Sequence, residues 1–165
     1  MKPNPAVVAA ANRTAATHSV NLTFSSKASK QCRAALEELL FFNPRQFRVR
    51  EGIINSLQHF GHPRLVETPD GLTIKVGDVE AQTLFAFKSS SRESDPIGLV
   101  VFLRTSREEI AILHIAVHSE YSLHGNREHL GLGVLLMEKV KEIAQRIVGV
   151  ERIVFFYRRE VVIRV

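Results

Sequence analysis

The feature that most constrains the fold of this chain is a helical segment between two apolar runs. Residues 109–118, EIAILHIAVH, and 152–157, RIVFFY, have the length and composition of buried strands. Between them, apolar residues recur at three-and-four spacing with charged residues opposite, as on an amphipathic helix over 135–147: Leu135, Leu136, Val140, Ile143, Ala144 and Ile147. Because a crossover helix joins parallel strands with a right-handed connection, this unit predicts a mixed α/β sheet with one parallel pair.

The residues before this unit predict a strand, two helices and an antiparallel meander. Asn43-Pro44 separates the helices, and Gly61 ends the second, with Pro63 beyond it. The predicted elements are a strand at 20–24, helices at 29–42 and about 45–61, and strands at 72–76, 81–88 and 97–105. The runs at 97–105 and 109–118 are apolar on both faces, which predicts a central position in the sheet. Residues 158–165 either extend the last strand or fold back as a short hairpin.

Length and composition favour one soluble domain. The 165 residues, 45% of them hydrophobic, suffice for one core, which we place at 20–165 after a weakly structured tail at 1–19. No apolar run is long enough to span a membrane. The formal charge of +5 fits a phosphorylated cofactor, a nucleic acid or an acidic protein. Basic clusters at 45–50 and 157–160 are explained more simply by a solvated helix face and a strand end than by nucleic-acid binding.

Cysteine content and the acid-poor N-terminus bear on location. The single cysteine, Cys32, excludes an internal disulfide and fits a reducing compartment, with an apolar role on a helix. The first 36 residues contain no Asp or Glu, a composition shared by organellar transit peptides and disordered tails. Two early prolines and the absence of periodic arginines favour the tail. We therefore expect a cytoplasmic protein.

Two glycines, Gly131 and Gly133, precede the amphipathic helix. Glycines there let a ligand approach the backbone, and the amides of a first helical turn favour phosphate or pyrophosphate. The alternative is that these glycines only permit a tight turn from strand to helix.

The order of elements, together with ILHIAVHSEY followed by GLGVLLMEKVKEIA, resembles the GNAT acyltransferase superfamily. The resemblance extends over 20–157 in topology and over 113–147 in motif. It implies a GNAT-like α/β fold with a splayed central strand pair, and acetyl-CoA or another acyl-CoA as co-substrate. The strand at 110–117 would pair with the pantetheine arm, and the loop before the helix would hold the pyrophosphate. The residues so assigned are Val117, Arg127, His129, Leu130, Gly131, Leu132, Gly133 and Val134.

Transfer of an acyl group to a primary amine needs a general base and a general acid. The resemblance implies Glu109, on the strand that carries the base in many members of the superfamily. His118 follows the same strand, where we expect the mouth of the cleft, and is a second candidate. The chain departs from the family pattern at Glu128, where Gln or Arg is usual, and in residues 122–127, which lengthen the loop. These departures favour an alternative, a non-catalytic GNAT-like module for ligand sensing or protein association.

Four histidines lie within 114–129, but their spacing matches no zinc pattern, so we expect no metal. We interpret His114 as a histidine whose imidazole is packed in the core. The acyl acceptor is expected to be a small-molecule or peptide amine. We expect the sheet to stop after the returning strand, and the unpaired edge that this leaves predicts a homodimer formed through the C-terminal strands.

Overall fold

A computed structural model describes residues 21–44, 46–88, 94–122, 131–156 and 162–165. The expected tail at 1–19 lies outside these ranges. The helices are α1 (Arg33–Phe41), α2 (Arg50–Phe60) and α3 (Leu132–Gln145). The strands are β1 (Leu22–Ser25), β2 (Pro63–Thr68), β3 (Gly71–Val76), β4 (Val79–Lys88), β5 (Pro96–Arg104), β6 (Glu109–Val117), β7 (Arg152–Phe155) and β8 (Val162–Arg164). No helix in the described ranges is long and apolar enough to cross a bilayer.

The strands form one sheet in the order β2-β3-β4-β5-β6-β7-β8, with β1 paired to β4. The β6–β7 pair is parallel and the other pairs are antiparallel. The chain runs from β6 to β7 through α3, as a parallel pair requires. This topology confirms the predicted α/β fold, an antiparallel meander followed by a strand-helix-strand unit in the GNAT-like order.

Each face of the sheet is buried under different helices. On one face, Leu36 of α1 belongs to the same buried cluster as Leu99 and Val101. On the other face, Leu136 of α3 clusters with Val100 and other sheet residues. Because successive side chains of a strand point to opposite faces, the apolar run of β5 serves both layers, and its predicted central position is confirmed.

Several predicted boundaries differ from the structure. Strand β2 was not expected, because Pro63 reads as a stop signal; here it is the first residue of the strand, a position that tolerates proline. Residues 30–32 form a 3-10 turn, so the first long helix starts later than predicted. Cys32 is buried in that turn, where burial and then the charge of Asp95 raise its thiol pKa.

The C-terminus folds back as a hairpin, the second of the two alternatives. Strand β8 pairs antiparallel with β7 through Arg152↔Arg164, Ile153↔Ile163 and Val154↔Val162. The expectation that the returning strand would be an unpaired edge is therefore wrong, because β8 covers β7. Among the described strands, β8 is the outermost at this side of the sheet.

Candidate functional site

The central feature of the site is the point where β6 loses its partner on the β7 side. The parallel pairing runs from Glu109↔Arg152 to Ile112↔Phe155, and the Phe156 amide then donates to the Ile112 carbonyl over 3.3 Å. In the described part of the chain, the last five residues of β6 have no strand on this side, although β6 stays paired with β5 up to Gly98↔Val117. The β5–β6 register shifts where Val101 pairs with His114 and Phe102 with Ile112, so Leu113 forms a bulge where the β7 pairing ends.

The alternation of the β5–β6 ladder determines which backbone groups face this side. The His118 amide donates to the Ile97 carbonyl over 2.8 Å, toward β5. In an antiparallel ladder the direction alternates, so the backbone groups of Ile115 and Val117 point away from β5. The Val117 carbonyl accepts a hydrogen bond from Asn43 Nδ2 over 3.1 Å, after the end of α1. The Leu113 carbonyl accepts from Ser56 Oγ on α2 over 3.4 Å.

The start of α3 lies beside the end of β6. Gly131 precedes the helix in the left-handed conformation, with φ 51° and ψ 40°, which favours glycine. Its carbonyl accepts the amides of Val134 and Leu135 over 2.8 and 3.1 Å. The amides of Leu132 and Gly133 have no acceptor within the helix, as in any first turn. Among the described residues that are not its chain neighbours, none has an atom within 4 Å of a side chain built at Gly131, whereas a side chain built at Gly133 would lie 3.9 Å from Val117 Cγ2. The first turn has no acidic residue.

These contacts bring together Val117, Gly131, Leu132, Gly133 and Val134, five of the eight residues assigned to coenzyme binding. Leu132 is fully buried and holds the helix start against the sheet, while Val134 is 55% exposed. Arg127, His129 and Leu130 lie outside the described residues, as does Glu128. The helix begins at Leu132, directly after the left-handed Gly131 and three residues earlier than its apolar periodicity indicates.

His118, the second candidate base, is exposed and directly follows β6. Its Nδ1 accepts the Glu120 amide over 3.4 Å, and its ring meets Tyr121 edge-on with 6.2 Å between centroids. His118 lines a cleft of about 370 Å³ together with Asn43, Asp95 and Glu120. The imidazole therefore stands at an open, polar cleft that also contains the side chain bonded to Val117.

Glu109 lies at the opposite end of β6, roughly 25 Å from Val117 at the usual rise of a strand. Its carboxylate accepts the Thr105 hydroxyl and Arg152 Nε, each over 2.8 Å. The Thr105 hydrogen bond, opposed by partial burial and reinforced by Arg152, lowers the pKa of Glu109. The structure does not bring Glu109 together with the other site residues.

His114 is enclosed beside the bulge, and burial lowers its pKa to about 4, so its imidazole is neutral near pH 7. This agrees with its interpretation as a core histidine. Among the described residues, no group of three or more His, Cys, Asp or Glu side chains is arranged to hold a metal ion. Sequence reasoning missed Asn43 and Ser56, since each acts through a contact with a distant strand.

Known proteins were found to be similar to this chain in structure but not in sequence. No protein-family model and no curated protein sequence matches it. Solved structures similar to it include an acetyltransferase from Streptococcus agalactiae, with 13% identity over 81% of this chain and 71% of that one and a TM-score of 0.45. An IAA acetyltransferase from Bacillus cereus has 19% identity over 82% and 65% of the two chains, with a TM-score of 0.42. A protein assigned to the GNAT acetyltransferases from Desulfovibrio desulfuricans has 17% identity over 82% and 72%, with a TM-score of 0.44. The likeness is one of fold.

Proposed function

We propose that the protein is an acyl-CoA-dependent N-acyltransferase that transfers an acyl group, acetyl in the simplest case, to a primary amine. The observation that carries this proposal is the position of Val117, which ends the β6 segment without a β7 partner and lies beside the first turn of α3. An extended backbone edge and the amides of a helix start thus meet at one point.

Coenzyme A fits these two features. Its pantetheine arm carries amide groups and can add to a strand edge as an extended peptide does, so we assign it to the side of β6 at Ile115 and Val117. Its pyrophosphate matches the amides of Leu132 and Gly133 at the positive end of α3. Acyl-CoA supplies the thioester from which the acyl group is transferred.

The transfer proceeds by direct attack with both substrates bound. The amine nitrogen forms a bond to the acyl carbon while the bond from that carbon to sulfur breaks. The amine loses a proton, and the coenzyme thiolate takes one up. We assign proton removal to His118, because it is the candidate base that lies at the open end of β6 and lines the cleft there.

A non-catalytic module is the second candidate, and one observation favours it. The carbonyls of Leu113 and Val117 already accept hydrogen bonds from Ser56 and Asn43. Part of the β6 edge is therefore satisfied without a ligand. In that case the fold would bind a coenzyme or a protein without transferring an acyl group.

Calorimetric titration with acetyl-CoA separates these functions. The enzyme requires binding, followed by release of free thiol across a panel of amines. S-acetylpantetheine, which lacks the pyrophosphate, should bind at least about tenfold more weakly, because charge-assisted hydrogen bonds to the helix start are lost. Binding without turnover would support the sensing module, and no binding at millimolar acetyl-CoA would refute the enzyme.

The homodimer remains a prediction. We now expect β8 to form the contact between the two subunits. Sedimentation that shows only monomer at tens of micromolar protein would contradict it.

A further inference from the structure

A second cavity, of about 180 Å³, lies between α1, α2 and the sheet. Leu40 and Phe41 of α1 and Ile53 and Leu57 of α2 line it, and Leu113 lies on its sheet side. Phe41 is 40% exposed, so the cavity reaches solvent beside this ring.

The described lining of the cavity offers a ligand no carboxylate, ammonium or guanidinium group, and the exposed His62 is its one titratable side chain besides His114. Gln46 Nε2 and Ser56 Oγ donate hydrogen bonds to the carbonyls of Leu40 and Leu113, respectively. His114 contributes a neutral ring near pH 7. Since an unpaired charge costs several kcal/mol to desolvate at such a site, the cavity selects an uncharged, apolar group.

The size of the cavity indicates how large that group is. An engineered apolar cavity of about 150 Å³ in another protein binds benzene. The present cavity is slightly larger, so it accommodates one six-membered ring and little more.

The cavity also borders the part of β6 where its pairing with β7 ends. Leu113 and His114 follow Ile112 directly, and Ile112 is the last residue of β6 paired with β7. A ligand with its ring in the cavity therefore has its other end near the point where the β6 edge becomes open.

We propose that this cavity binds a neutral, ring-sized apolar group of the acyl acceptor, so that the substrate class is an amine with an aryl or cycloalkyl substituent. This inference rests on the proposed acyl transfer. It adds that the cavity between α1 and α2 selects the acceptor by binding its ring, while the amine of the acceptor remains outside the cavity.

Benzene binding to the full chain tests the cavity without any need for turnover. We expect the methyl resonances of Leu40, Ile53 and Leu57 to shift on titration, while those of Leu136, which belongs to α3 on the other face of the sheet, stay fixed. Ile53→Trp fills the cavity and should weaken benzene binding at least about tenfold, since the added ring takes the same volume. Ile54→Trp is the matched control, because Ile54 is 43% exposed on the same helix and does not line the cavity.

Turnover then tests the acceptor. With acetyl-CoA, 2-phenylethylamine should exceed ethylamine at least about tenfold in kcat/KM, the discrimination that an apolar pocket provides. Ile53→Trp should abolish this ratio, and Ile54→Trp should keep it.

These experiments distinguish a failure of the cavity inference from a failure of the proposed acyl transfer. Acetyl-CoA binding without benzene shifts at the named methyls would overturn the inference and leave the acyltransferase standing, even if Ile53→Trp does not fold. Benzene shifts without acetyl-CoA binding would overturn the acyltransferase, and with it the acceptor role of the cavity.

Discussion

Asn43 Nδ2 donates a hydrogen bond to the carbonyl oxygen of Val117 over 3.1 Å, across 74 residues of sequence. This bond ties the segment after α1 to the end of the strand on which the proposed site is built. A side-chain donor thus occupies a backbone acceptor that would otherwise face the cleft.

Asn43→Ala should lower the free energy of unfolding by about 1 kcal/mol, the usual net value of one hydrogen bond. Urea denaturation measures the change. Asn55→Ala, at an exposed position of α2, is the control and should cause no loss. Equal stabilities of the two variants would show that the Val117 bond contributes nothing.

Gly131→Asp should weaken acetyl-CoA binding at least about tenfold, because a carboxylate would stand where the pyrophosphate is expected and would repel it. Gly131→Asn is the matched control, since asparagine has the same shape, tolerates the left-handed conformation and carries no charge. The ratio of the two affinities, measured by calorimetry, should shrink at high salt. Identical affinities would refute the anion site.

His118→Gln should reduce kcat by about 10²-fold or more, the usual contribution of a general base, while acetyl-CoA affinity stays unchanged. Calorimetry supplies the second readout, because a fall in kcat at unchanged acetyl-CoA affinity separates proton removal from coenzyme binding. A variant that keeps the wild-type kcat would show that another group accepts the proton.

Glu109→Gln should leave the rate of acyl transfer within about threefold of wild type, because the carboxylate lies far from the proposed site. Its effect should appear in stability. The lowered pKa of Glu109 means that its contribution is present above its ordinary value of 4.5 and disappears as pH falls through the lower folded value. The free energies of unfolding of wild type and variant should therefore differ at pH 7 by less than about 1 kcal/mol, because the pair is half-exposed. The two values should converge in acid. A large loss of kcat would restore Glu109 as the base.

His114 should make the protein less stable in mild acid. Its pKa falls from 6.5 to about 4 on folding, so the unfolded chain binds a proton between these values and the folded chain does not. The contribution is complete above pH 6.5 and is lost as pH falls toward 4, by about 3 kcal/mol.

His114→Gln should flatten this dependence in denaturation series from pH 7 to 4, whereas His59→Gln, at an exposed position, should not. His62 lies at the same cavity and is the other titratable side chain in its described lining. If His114→Gln retains the wild-type slope, the histidine is not the cause.

The sequence predicted most of this fold because its strongest signals are local. The apolar runs of β5 and β6 and the periodicity of α3 each specify an element, and handedness then makes β7 parallel. Strand β2 was missed because six residues, PRLVET, carry little alternation of their own; the pairing with β3 stabilises the strand.

The candidate site was predictable in part. Gly131 and Gly133 are visible as glycines before a helix, and their neighbour Val117 follows from the order of elements. The sequence does not indicate that Glu109 lies apart from the other site residues, since its partners Thr105 and Arg152 are apparent only once β6 and β7 are paired. Asn43 reads in sequence as a helix breaker, and its bond to Val117 depends on packing between distant segments.

The parallel pairing of β6 with β7 also has a consequence for the order of folding. Strands β5 and β6 are joined by four residues and form a hairpin, an event of about microseconds. Glu109 and Arg152 are 43 residues apart, and their pairing must wait until α3 has closed the crossover. Val117 belongs to the early hairpin and Gly131 to the late crossover, so the two halves of the site meet near the end of folding. A ligand that bridges them should therefore slow unfolding and leave the folding rate nearly unchanged.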